Sequence, residues 1–151
     1  MVEHQLCTFF INDIYFGIDV QQIQEVIRAQ EMTRVPLAPP DICGLINLRG
    51  QIVTTIDLRQ RLEMSELPKS SSVADDQLVL NIVIRHQDEV VSLLVDSVDD
   101  VREVQPKDFE PPPVTLKGRM RQLLSGAYKL DRGLLLVLDV EKILALPLLL
   151  W

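Results

Sequence analysis

The sequence predicts a mainly β protein: two small β-barrel-like subdomains, packed together, made by an internal duplication and trimmed with short helices. Three observations carry that reading. "GLINLRGQIVTTIDLRQRL" (44–62) and "GAYKLDRGLLLVLDVEKIL" (126–144) match without a gap, Gly44 with Gly126, Asp57 with Asp139 and Leu62 with Leu144, at an offset of 82 (126 − 44). Upstream, Val20, Ile23 and Val26 of "VQQIQEV" answer Val98, Val101 and Val104 of "VDDVREV" at an offset of 78 (98 − 20). Two matches in the same order mark a repeat of supersecondary units. Finally, the apolar runs are short and bounded by turn residues, as strands are.

In chain order, "LCTFFI" and "YFGID" read as strands turned at Asn12-Asp13. "VQQIQEVIR" places positions 20, 23, 26 and 27 on one helical face, which predicts a short helix against the core. The corresponding "VDDVREV" is read the same way. Prolines at 36, 39, 40, 111, 112 and 113 exclude a long helix and fit extended crossovers. "GLINL" and "QIVTTIDL" form a hairpin whose loop is Arg49-Gly50-Gln51, matched by Asp131-Arg132-Gly133 in the second copy. Gly50 and Gly133 are expected to supply the positive φ of such loops. Gly44 is assigned a structural turn or cap position. Asp57 and Asp139 each end a strand before a short helix, where a carboxylate accepts the unpaired N–H groups of the first turn. "LRQRLEM" is expected to face solvent.

"SELPKSSSVADDQ" lacks any apolar period and reads as a linker. The expected organisation is therefore a single domain over 1–151, with one subdomain over roughly 6–64, a linker at 65–77 and a second subdomain over roughly 78–147. In the second half, "LVLNIVIR" and "VVSLLVD" turn around Gln87-Asp88, and "GAYKL" and "LLLVLD" follow. "LVLNIVI" and "LLLVL" are apolar at consecutive positions, so those strands are expected to be covered on both faces, near the seam between barrels.

Composition narrows the function. With 47% hydrophobic residues the chain is not a disordered one. A net charge of −7 argues against binding a phosphate backbone or an anionic membrane surface. No stretch approaches the roughly 20 apolar residues of a membrane helix, and the N-terminus has no signal-peptide pattern. Cys7 and Cys43 stand apart, outside any metal-ligand spacing, and read as buried thiols of a cytoplasmic protein. His4 sits near the terminus and His86 in a turn region, where it reads as a solvated residue rather than a base, and no nucleotide, hydrolase or zinc motif occurs. Asp75-Asp76 and Asp99-Asp100 also lack metal spacing. Neither catalysis nor a cofactor is expected.

Arg49 is left over. Nothing in turn chemistry asks for a cation there, and the repeat sets Asp131 in its place. It is either a solvated loop-tip residue or a charged anchor on a binding surface, where arginine is enriched.

"YFGIDVQQIQEVI", "TRVPLAPPDICGLINLRGQIVTTIDLR" and "LLVDSVDDV" together resemble the CheW family of bacterial chemotaxis adaptors, from about Phe9 to Leu146. The most specific part runs from Pro39 to Arg59. The resemblance implies two five-stranded β-subdomains. It also implies a role bridging the regulatory domain of a CheA-type histidine kinase to the cytoplasmic tips of methyl-accepting chemoreceptors, in membrane-associated arrays where copies self-associate. By the same resemblance Glu25 and Arg49 lie close together near the docking surface, as an ion pair across helix and hairpin. Ile23, Val98 and Asp99, at the two short helices, are further contact candidates. The chain stops at Trp151, so no receiver or kinase domain is expected, and the apolar "ALPLLLW" is expected to pack back or meet a partner. The competing reading is a small β-barrel binding protein or oligonucleotides outside chemotaxis. Its nucleic-acid form is disfavoured by the acidity and by the lack of aromatic stacking platforms.

Overall fold

The computed structural model describes residues 4–64, 80–131 and 133–145; the predicted linker and the apolar tail lie outside the described residues. Strand β1 (His4–Ile11) turns through Asn12 and Asp13 into β2 (Ile14–Asp19). Both turn residues have positive φ, 50° and 66°, the conformation of a two-residue type I′ hairpin, which Asn and Asp bear at low cost. Asp19 then accepts a hydrogen bond from Gln21 N at 2.9 Å and starts a single 3-10 turn, Val20–Gln22.

Here the structure corrects the sequence reading. The remainder of the predicted first helix is strand β3 (Ile23–Arg28). After the proline crossover come β4 (Ile42–Leu48), β5 (Gln51–Asp57) and helix α1 (Leu58–Arg61). The second half contains β6 (Leu80–His86), β7 (Glu89–Val95) and β8 (Ser97–Val104), and β8 replaces the second predicted helix. A 3-10 turn (Pro106–Asp108), β9 (Phe109–Glu110), α2 (Gly118–Gln122), β10 (Leu124–Leu130), β11 (Gly133–Leu138) and α3 (Val140–Ala145) complete it.

The strands form a six-stranded sheet, β8-β1-β2-β11-β10-β9, and a five-stranded one, β3-β6-β7-β5-β4. Their registers expose the duplication. Ile23 lies opposite Ile84 and Val98 opposite Phe9, which sets the offset of this part at 75 (98 − 23; 84 − 9) rather than the 78 inferred from valine spacing. The later match keeps its offset of 82, down to a bulge at Ile42/Gly44 repeated at Leu124/Gly126. With β1–β5 exchanged for β6, β7, β8, β10 and β11, the five-stranded order becomes the first five strands of the other sheet. The sheets nevertheless do not follow the halves. Each half sends its first hairpin into the sheet built by the rest of the other, so the subdomain boundaries drawn at 6–64 and 78–147 bound the repeats, not the sheets.

Each sheet curls until a closing segment meets its outer hairpin. In the five-stranded sheet, Thr33 and Leu45 exchange backbone hydrogen bonds of 2.9 and 2.8 Å; in the six-stranded sheet, β9 pairs with β10, Glu110 opposite Ala127. Gly44 and Gly126 make this possible. A Cβ on Gly44 would stand 2.6 Å from the Thr33 carbonyl oxygen, and one on Gly126 2.6 Å from that of Glu110 and 2.3 Å from the Phe109 ring. Gly44 is thus a close-approach residue inside β4, not a turn or cap.

One central cluster, with Phe9, Phe16 and Ile56 from the first half and Ile84, Leu93 and Leu138 from the second, fills the seam. Each barrel encloses a smaller cluster: Leu6, Val104, Tyr128 and Leu135 in one, Ile46, Leu48, Val53 and Val83 in the other. Ile82 and Ile84 face the seam while Val83 faces a barrel interior, which accounts for the unbroken apolar run of β6. "LRQRLEM" faces solvent only in part, at Gln60 and Glu63. Leu58, Arg61 and Leu62 are all buried, and Arg61 is wholly so.

Candidate partner-binding surface

Leu48 pairs directly with Gln51, so the β4–β5 loop has two residues, Arg49 and Gly50, and not three. Both are left-handed, with φ of 53° and 86°. Asn47 Oδ1 accepts from Gly50 N at 2.9 Å and holds the turn. Such a turn favours Asn, Asp or Gly at its first position. An arginine there accepts backbone strain, which points to a use for its side chain.

That side chain meets Glu25. Along β3 the even positions face out, while Ile23, Glu25 and Ile27 face inward and are half buried. Arg49 grips the Glu25 carboxylate with two parallel hydrogen bonds of 2.6 Å each. Bidentate pairs of this kind are the strong form of the contact. Because β3 and β4 are the outermost strands of the five-stranded sheet, the pair joins its two margins. The Glu25 side chain is 20% exposed and Arg49 69%, so the guanidinium is fixed on one side and open on the other. The Arg49 hydrogen bond holds the Glu25 carboxyl below the ordinary carboxylate range, and Glu25 in turn raises Arg49. Two solvent-exposed aliphatic residues share this sheet, Val26 on β3 and Ile52 on β5. The ion pair expected across helix and hairpin is present, across strand and hairpin.

The register-equivalents of Glu25 and Arg49 in the other sheet are Asp100 and Asp131, two acids. A different network stands on that side. Tyr15 Oη donates to Asp99 Oδ2 at 2.8 Å and receives a bond from Arg102 Nε at 3.0 Å, with the guanidinium 5.8 Å from the ring centroid. Buried Thr8 gives its hydroxyl hydrogen bond to the Asp100 carbonyl. Ile23 and Val98 are register-equivalents and both pack, half buried, against the central cluster. Ile23 shares β3 with Glu25, whereas Val98 and Asp99 lie on the opposite sheet, away from the Arg49 turn.

The capping aspartates stand as expected. Asp57 accepts from Arg59 N at 3.0 Å and Gln60 N at 3.4 Å, and Asp139 from Lys142 N at 3.2 Å. Sequence reasoning missed Arg61. Its Nε donates to Asp41 at 2.8 Å and its Nη1 to the Ile143 carbonyl at 2.8 Å, tying α1 to its own repeat-equivalent position on α3. The available signal was its flanking by Leu58 and Leu62. Arg59 was also missed. It reaches Asp96, which accepts at its other oxygen from Asn12 N at 2.8 Å.

Burial raises both thiols, that of Cys43 to about 12, so neither is a thiolate nucleophile at neutral pH. Among the described residues no group of three or more His, Cys, Asp or Glu is placed to hold a metal ion, and no helix is long and apolar enough to cross a membrane.

A family model described as the CheW-like domain matches residues 5–147. The chemotaxis protein CheW of Bacillus subtilis is 31% identical over 140 residues, 93% of this chain and 86% of that protein. CheW of Klebsiella aerogenes is 30% identical over 144 residues, 95% of this chain and 83% of that one. The crystal structure of the scaffolding protein TtCheW from Thermoanaerobacter tengcongensis superposes with a TM-score of 0.77 at 25% identity, covering 91% of this chain and 90% of the other.

Proposed function

This chain belongs to the CheW-like domain family, and from that premise we propose that it is a non-catalytic scaffold coupling chemoreceptors to a CheA-type histidine kinase in bacterial chemotaxis. The observation that carries the reading is the family match over nearly the whole chain, together with two relatives that bear the name of chemotaxis protein CheW. The finer assignment is that the kinase's regulatory domain and the cytoplasmic receptor tips are the partners, and that the protein works at receptor arrays beside the membrane. Support comes from a cation already held in place on the surface. Arg49 is anchored by Glu25 and open to solvent, so a partner carboxylate or carbonyl meets a guanidinium whose rotamer is already set.

The test is a double-mutant cycle on binding. Arg49→Ala is expected to keep the fold and weaken association with kinase regulatory domain or receptor tip by about 1–3 kcal/mol. Glu25→Ala is expected to do less, and the double variant to lose less than the sum, because the two act as a unit. Titration calorimetry with circular dichroism on each variant reads this out. Wild-type affinity in the folded Arg49 variant would move the anchor elsewhere, first to Ile23, Val98 and Asp99. A gel shift with single-stranded oligonucleotides runs alongside, and retention there in place of kinase binding would overturn the scaffold reading.

A further inference from the structure

We infer that the two halves of the chain stay assembled without the covalent link between them, because neither half completes either sheet alone. The ladders carry this. Among the described residues, those confined to one half are the hairpins β1–β2, β4–β5, β6–β7 and β10–β11, plus the two-residue β9–β10 pair. All the others, β1 with β8, β2 with β11, β3 with β6 and β5 with β7, cross from one half to the other. Taken alone, the first half is two disconnected hairpins and an unpaired β3. An isolated two-stranded hairpin is marginal in water, and three or more strands with an apolar face are needed for independent stability.

The side chains repeat the pattern. The central cluster mixes both halves, so separating them would bare Phe9, Phe16 and Ile56 on one side and Ile84 and Leu93 on the other. Arg61 on α1 reaches the Ile143 carbonyl on α3, Arg59 reaches Asp96, and Asp96 N donates to the Phe10 carbonyl. The candidate surface depends on the exchange as well. β3, which places Glu25, has β6 as its ladder partner, so second-half residues hold Glu25 opposite Arg49.

The experiment uses the full chain with a Gly/Ser-flanked protease site inserted between residues 65 and 79, cut after folding. The cut protein is expected to elute at the intact position with both fragments present in equal amounts. Its unfolding is then bimolecular, so its melting temperature is expected to fall by about 3–6 °C for each tenfold dilution, while the uncut protein melts independently of concentration. By NMR, Glu25 is expected to titrate below the ordinary carboxylate range in both forms. Separation into two folded fragments, precipitation on cutting, or concentration-independent melting of the cut protein overturns the inference.

Discussion

The two barrels share strand order, bulge and closing segment, yet their rims differ in kind. At register-equivalent positions one carries Glu25 and Arg49 in a bidentate grip and the other carries Asp100 and Asp131. In the interior, apolar Val83 of one barrel stands where Thr8 stands in the other, with Tyr15, Asp99 and Arg102 forming a polar chain beside it. Duplication thus supplied one backbone twice. The backbone constraints, such as Gly44 and Gly126 under their closing carbonyls, persisted in both copies. The side chains that no backbone contact dictates went separate ways, and those are the ones a partner can read.

Breaking the asymmetry at its most buried point should have the largest effect. Arg61 has Ile143 as its counterpart, so the second copy places no cation at this buried position. Arg61→Ala is expected to cost about 3–5 kcal/mol in urea unfolding, since Asp41, largely buried, loses its partner. Next, Gly126→Ala and Gly44→Ala should each cost about 1–3 kcal/mol by overpacking. Gly126 should be the worse, because its Cβ also meets the Phe109 ring. Equal losses by thermal melting would mean that the ring swings aside and only the carbonyl matters.

Asp57→Ala and Asp139→Ala should each cost about 0.5–2 kcal/mol, with Asp57 the larger because it accepts two backbone N–H groups against one. Chemical denaturation of both variants ranks them. The smallest effect comes from making the acidic rim resemble the other. Asp131→Arg should gain no more than about 0.2–1 kcal/mol by facing Asp100, a gain that vanishes at high salt. The Glu25 carboxyl is depressed in the folded protein, so its contribution is present above its unfolded pKa and is lost as acid takes the pH down through the folded one. In Arg49→Ala the NMR midpoint of Glu25 should rise toward the ordinary range.

The four hairpins, the offset of 82 and both aspartate caps were legible because each rests on local chemistry: turn residues, alternation, a carboxylate at a strand end. β3 was not. Its inward residues are Ile23, Glu25 and Ile27, and the charged member hides the alternation, while exposed Val26 and the 3-10 residue Val20 complete a false helical stripe. The strand was misread at the position where the candidate surface sits, as happens when a local rule is broken for function. The exchange of hairpins between sheets was invisible for another reason: a repeat states which segments are alike, not which copy they pair with. Arg61 was taken for a solvent residue because a wholly buried arginine is rare unless its partners are known, and both lie far away in sequence.

The exchange also has a consequence for synthesis. His4 on β1 pairs with Val104 on β8, a separation of 100 residues (104 − 4). At a ribosomal rate of about 5–20 residues per second, β1 and β2 wait on the order of 5–20 s for β8 and β11 to emerge. Through that interval Phe9, Phe16 and Ile18 have no sheet to enter. The nascent first half is therefore the stage at which this protein is most exposed to aggregation and to chaperone capture, and its high contact order makes the final closure slow.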